Sequence, residues 1–88
     1  MIATNTEIAQ TILRLCTERG SGKTICPSEA ARALSSADWR AQMLVVRSCA
    51  AALGREGRIE MSQRGWPVGP ATVKGAIRLG LPNRDDQE

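Results

Sequence analysis

Apolar residues recur at helical spacing through the first two thirds of the chain and at every second position near its end. Thr4-x-x-Glu7 has capping-box spacing, and Ile8, Ile12, Leu15 and Cys16 follow on one helical face. The pattern predicts a helix from about Asn5 to Arg19, with Gly20 placed to stop it. A second helix is expected to open near Pro27, because a first-turn proline gives up an N–H that has no intrahelical partner anyway. Ser28 and Glu29 suit that first turn, and Ala30, Ala31, Ala33 and Leu34 carry the helix to Ser35. The third helix is the longest. Ser35 or Ser36 can cap it, Asp38 favours its positive end and Gly57 ends it. Trp39, Met43, Val46, Ala50 and Leu53 recur at steps of four and three and fall within about 80° of one another, a face that should be buried. Arg40, Arg47 and Arg55 share an adjoining face, with Leu44 and Ala51 between them.

The period then switches from helical to alternating. Residues 58–63, "RIEMSQ", predict a strand with Ile59 and Met61 inward and Glu60 and Ser62 outward. Residues 64–75 are rich in Gly and Pro and look too long for a tight turn, and "AIRLGL" (76–81) alternates again, with Ile77, Leu79 and Leu81 on one face and Arg78 on the other. Thr24-Ile25 can supply a third short strand. The expected fold is therefore α+β and mainly α, with three helices and a small antiparallel sheet in the order of a winged helix-turn-helix. The third helix would be its recognition helix and residues 64–75 its wing. Residues 1–83 form the single domain and 84–88 a short acidic tail. Ile8, Ile12, Leu15, Leu34, Trp39, Met43, Val46, Leu53, Ile59, Ile77 and Leu79 should share one core.

Four stretches, "TICPSEAARAL", "DWRAQMLVVRSCAAAL", "GRIEMSQRGWPV" and "KGAIRLGL", together resemble a small bacterial family of winged-helix domains of unknown function. The resemblance covers nearly all of residues 8–81 and centres on Cys26-Pro27-Ser28-Glu29, Trp39-Arg40 and Ile77-Arg78. It implies the fold and no particular activity. The family pattern carries proline after the glycine where this chain has Ala76.

Composition narrows the function classes. At 88 residues with two Trp and no Phe or Tyr, the core must be built from Ile, Leu, Val, Met and Ala. The net charge of +3 becomes +5 without residues 84–88, a modestly basic domain compatible with nucleic acid. Three cysteines at wide spacing and no histidine argue against a disulfide framework and a zinc site, and fit a reducing cytoplasm. The N-terminus lacks the basic start and apolar run of a signal peptide, and no apolar run is long enough to span a membrane.

Gly22-Lys23-Thr24 has the closing residues of a phosphate-binding loop, but the motif needs a glycine at position 17, where Thr17 stands. The segment also follows a helix and leads into a strand, the reverse of the context in which amides face a phosphate. It reads as a turn, with Lys23 an exposed charge. Cys26 opens a helix, where a thiolate can be stabilised. With no histidine to act as base, it reads as a small packing residue, and Cys16 and Cys49 as core. Trp39 belongs to the buried stripe, whereas Trp66 either packs on the sheet or is left exposed for a base or a protein pocket.

The arginines carry the functional case. Arg on a recognition helix can bond guanine bidentately, and basic residues elsewhere neutralise phosphates. Arg40 and Arg47, with Arg64 and Lys74 at the wing base, make one footprint, and Lys23 and Arg78 are secondary members. The plainer reading is a solvated arginine face that holds local acids such as Glu56. The leading expectation is a non-enzymatic module that binds double-stranded DNA, a small transcriptional regulator without cofactor or metal. The alternative is a winged helix for protein–protein contact, with a protein partner or a second copy meeting Trp66 and the wing. With no histidine, phosphate loop or metal-ligand cluster, acid–base and metal-assisted chemistry lack obvious carriers.

Overall fold

The computed structural model describes residues 4–69 and 75–82. Its order is α1 (Asn5–Arg19), β1 (Thr24–Ile25), α2 (Pro27–Leu34), α3 (Trp39–Arg55), β2 (Glu60–Gln63), β3 (Trp66–Pro67) and β4 (Arg78–Gly80). This is an α+β domain of three helices and a four-stranded antiparallel sheet, compatible with a winged-helix arrangement.

The helices start and stop where local chemistry dictates. At α1 the Glu7 N–H donates to Thr4 Oγ1 at 3.1 Å and the Thr4 N–H to Glu7 Oε1 at 2.9 Å, so two orphan donors are satisfied reciprocally. The end of α3 is a Schellman turn. Arg58 N–H reaches the Leu53 carbonyl and Gly57 N–H the Gly54 carbonyl, with Gly57 at a φ of 77° that a side chain would resist. The start of α3 differs from expectation. The helix opens at Trp39 after Asp38, and Ser35 Oγ accepts from the Asp38 N–H at 3.1 Å instead of capping the helix itself.

The sheet runs β1-β4-β2-β3. Leu79 of β4 faces Ile25 on one side and Met61 on the other, so the expected pairing of the two alternating segments holds. The twelve-residue wing does not. A tight turn at Arg64-Gly65 folds β3 straight back on β2, pairing Gln63 with Trp66 and Ser62 with Pro67. Both central residues have positive φ, 53° and 86°, as a type I′ turn requires. Asn-Gly would have announced that turn. Arginine, strained in the left-handed region, does not. Residues 70–74 of the predicted wing lie outside the described residues.

Fully buried side chains include Ile8, Ile12, Cys16, Ile25, Val46, Ala50, Ile77 and Leu79, with Leu53, Ile59 and Met61 nearly so. Leu15, Leu34, Trp39 and Met43, expected in the core, are only half-buried against it. Gln42 is buried instead. The buried arc of α3 is thus rotated toward Gln42, Val46 and Leu53, because the helix packs against both α1 and α2.

Gly80 fixes how closely β1 can approach. A Cβ at this position would lie 2.8 Å from the Lys23 carbonyl oxygen and 3.3 Å from the Thr24 methyl. Backbone atoms cannot swing aside as a flexible side chain would. Gly80→Ala is therefore expected to lower stability by about 1–3 kcal/mol, the usual cost of overpacking. Urea unfolding of the variant against the parent measures this, and the loss should come with a loosened β1.

Candidate nucleic-acid interface

Arg40, Leu44, Arg47, Ala51 and Arg55 lie on one face of α3, since steps of three and four residues return to nearly the same side of a helix. Leu44 is 79% exposed in the middle of them. Among the described residues no carboxylate forms an ion pair with Arg40, Arg47 or Arg55. The pairs that do form are Arg14–Glu18, Arg19–Glu29 and Arg58–Glu56. Glu56 is thus engaged by Arg58, not by the arginine face.

Arg47 also ties α3 to the sheet. Its Nη1 donates to the Gly75 carbonyl at 2.9 Å, and Gln63 Nε2 donates to the neighbouring Ala76 carbonyl at 3.2 Å. Residues 75–76 therefore bridge the middle of α3 and the end of β2. The β2–β3 hairpin, with Arg64 at its tip rather than at a wing base, rises from the same place. Trp66 on that hairpin is 75% exposed, which decides between its two expected positions. Lys74 lies outside the described residues.

The other expected members stand elsewhere. Arg78 Nε donates to Thr24 Oγ1 at 2.9 Å and its Nη2 to the Thr24 carbonyl at 3.2 Å, so this guanidinium fastens β4 to β1. Lys23 is exposed just before β1 and lines a depression of about 620 Å³ with Ser62, Gly65 and Pro67. Gly22-Lys23-Thr24 is a turn and a strand start, as its context implied.

The cluster at Cys26-Pro27-Ser28-Glu29 is an architectural knot. Glu29 Oε2 accepts from the Cys26 N–H at 2.9 Å, and Glu29 Oε1 pairs with Arg19 Nη2. Arg19 Nη1 donates to the Thr24 carbonyl at 2.8 Å, which Arg78 also reaches. One carboxylate and two arginines thus join α1, β1, α2 and β4. Cys26 is half-buried and its Sγ accepts from Ser28 Oγ at 3.2 Å. The Cys16 thiol is pushed up to about 11 by burial, with Arg19 opposing and Glu29 adding to the rise. Burial also raises Cys49, which is half-buried rather than in the core.

The knot should make stability sensitive to acid. Partial burial alone would raise the Glu29 carboxyl. The Cys26 N–H, the Arg19 hydrogen bond and charge, and the Arg78 charge outweigh it and hold the group below its ordinary 4.5. A carboxyl depressed on folding stabilises the fold above its unfolded value, and the contribution disappears as pH falls through the folded one. Glu29→Gln should lower stability by about 1 kcal/mol at pH 7, the scale of a lost cap, and flatten the fall toward pH 3. Urea unfolding of both chains at the two pH values checks it.

Arg32 was not among the expected site residues. Its Cζ lies 4.2 Å from the centroid of the Trp39 ring, and Arg40 Cζ lies 4.5 Å from the same ring. Sequence spacing pointed to Trp39 as core, so the exposed side of its ring and the arginine from α2 went unread.

These features define a class: a small α+β domain whose third helix carries an arginine face with no ion-paired carboxylate among the described residues, beside a two-residue hairpin turn. The chain belongs to the DUF3253 family of proteins of unknown function, whose model matches residues 5–82 and so takes in every helix and strand described above. No curated protein matches it. Among the described residues no helix is long and apolar enough to cross a membrane.

Proposed function

We propose that this chain is a non-enzymatic, winged-helix nucleic-acid-binding module, a small transcriptional regulator of the bacterial cytoplasm, that meets duplex DNA with the exposed face of α3. The observation that carries this reading is the arginine stripe itself. Three guanidiniums, Arg40, Arg47 and Arg55, stand on one helix face with no carboxylate paired to them among the described residues. The hairpin that bears Arg64 rises beside them through the Arg47–Gly75 and Gln63–Ala76 bonds. Such a face suits a groove: arginine forks reach base edges or phosphates, and Leu44 between them suits the methyl of thymine.

Binding of a random-sequence duplex, followed by fluorescence anisotropy at several salt concentrations, tests the reading. With about three to four phosphate contacts the log–log slope should be roughly −3 to −4, because each neutralised phosphate releases condensed counterion. A duplex that fails to bind even at low salt would remove the proposal.

A second reading has its own support. Among the described residues Trp66 and Leu44 are the large apolar side chains left most open, and an exposed tryptophan is a typical anchor of a protein interface. Under that reading the module contacts a protein partner or a second copy of itself, and Trp66→Ala abolishes the complex while duplex binding is absent from the start.

A further inference from the structure

We infer that Arg32 and Arg40, stacked on Trp39, form a phosphate-binding pair at the start of α3 and that its ligand is a backbone phosphate of nucleic acid. The inference deepens the proposed function and rests on it for the source of the phosphate. Arg32 comes from α2 and Arg40 from α3, and both side chains are exposed. Their guanidinium carbons stand 4.2 and 4.5 Å from the centroid of one indole ring. The two charges therefore lie no more than about 9 Å apart, close to one Debye length at physiological salt. Like charges so close repel, and an anion that both forks reach past the edge of the ring relieves the repulsion.

Stacking leaves the donors free. A guanidinium meets an aromatic ring with its flat face, while its five N–H groups lie in its plane and point outward. Trp39 is half-buried against the core, so it is a fixed platform. Two forks held on such a platform have lost part of their rotamer freedom before any ligand arrives, which favours bidentate oxyanion binding. The nearby carboxylates do not compete. Glu29 is held by Arg19 and the Cys26 N–H, and Asp38 pairs with neither arginine among the described residues. Asp38 also makes no side-chain cap on α3, and no acid occupies the first helical turn, so the positive end of the helix adds to the same field.

Two measurements test the pair. Trp66→Phe leaves Trp39 as the one tryptophan, and its emission is followed as sodium pyrophosphate is added. A saturable change is expected, at least tenfold weaker when Arg32→Ala is combined with it. In the otherwise unaltered chain, Arg32→Ala should take about 0.9 from the salt slope of duplex binding. A fallen slope supports the pair with backbone phosphate as its ligand, whether or not pyrophosphate alone saturates it. Pyrophosphate saturation that depends on Arg32, with an unchanged slope or no duplex binding at all, keeps the pair as an oxyanion site but overturns backbone phosphate as its ligand in favour of free phosphate. In the second of those cases it is the DNA reading that fails. No Arg32-dependent saturation, together with an unchanged slope or no duplex binding, overturns the inference.

Discussion

Leu79→Ala should remove about 2–5 kcal/mol, the range for truncating a leucine in a tight core. A domain of 88 residues has a total stability of roughly 4–13 kcal/mol, so the loss takes a large share of the total and should lower the urea midpoint sharply. The magnitude follows from position. Leu79 is fully buried on β4 and has strand neighbours on both sides, Ile25 across one ladder and Met61 across the other. Its side chain is packed between two strand neighbours on a strand that α1 also contacts, and a partly relaxed cavity would remain. Met43→Ala is the internal control. Met43 is half-buried on α3, and its truncation should cost only about 1 kcal/mol. Urea unfolding of the two variants gives the comparison. Equal losses would mean that α3 presents its Met43 face to the core, contrary to the burial of Gln42.

Reversing charge at Arg40 and Arg47 together should cost DNA binding about 2–6 kcal/mol, or roughly 30-fold to 25,000-fold, taking 1–3 kcal/mol for each well-made arginine contact. Stability should change much less. Arg40 is exposed, and the Arg47 bond to the Gly75 carbonyl is a single hydrogen bond worth about 1 kcal/mol. Anisotropy with labelled duplex reads the first quantity and thermal unfolding the second. Arg78→Gln, by contrast, should loosen the fold and leave the salt slope alone, since that guanidinium already serves Thr24. A double reversal that binds duplex like the parent would move the interface off α3.

The sequence by itself determined α1, α2 and the end of α3 almost to the residue, because helix ends are decided by bonds that span only a few positions, whereas the start of α3 came at Trp39 and not at Ser35 or Ser36. Thr4 and Glu7 cap each other three residues apart, Pro27 opens α2, and Gly57 closes α3 over a carbonyl three residues back. The alternation of Ile59 with Met61 and of Ile77 with Leu79 likewise marked one face of a sheet. The arginine stripe was legible for the same reason, as helical spacing alone places Arg40 and Arg47 together. Tertiary structure decided the rest. Arg64-Gly65 makes a turn only because β3 finds pairing along β2 that offsets the strain of a left-handed arginine. Which side of α3 is buried depends on where α1 and α2 lie, and that moved Gln42 inside and left Trp39 half out. Arg78 meets Thr24 across 54 positions, and Arg32 meets Trp39 from another helix. Contacts of that kind have no local signature in the chain, because they arise only when separate elements dock on a common core.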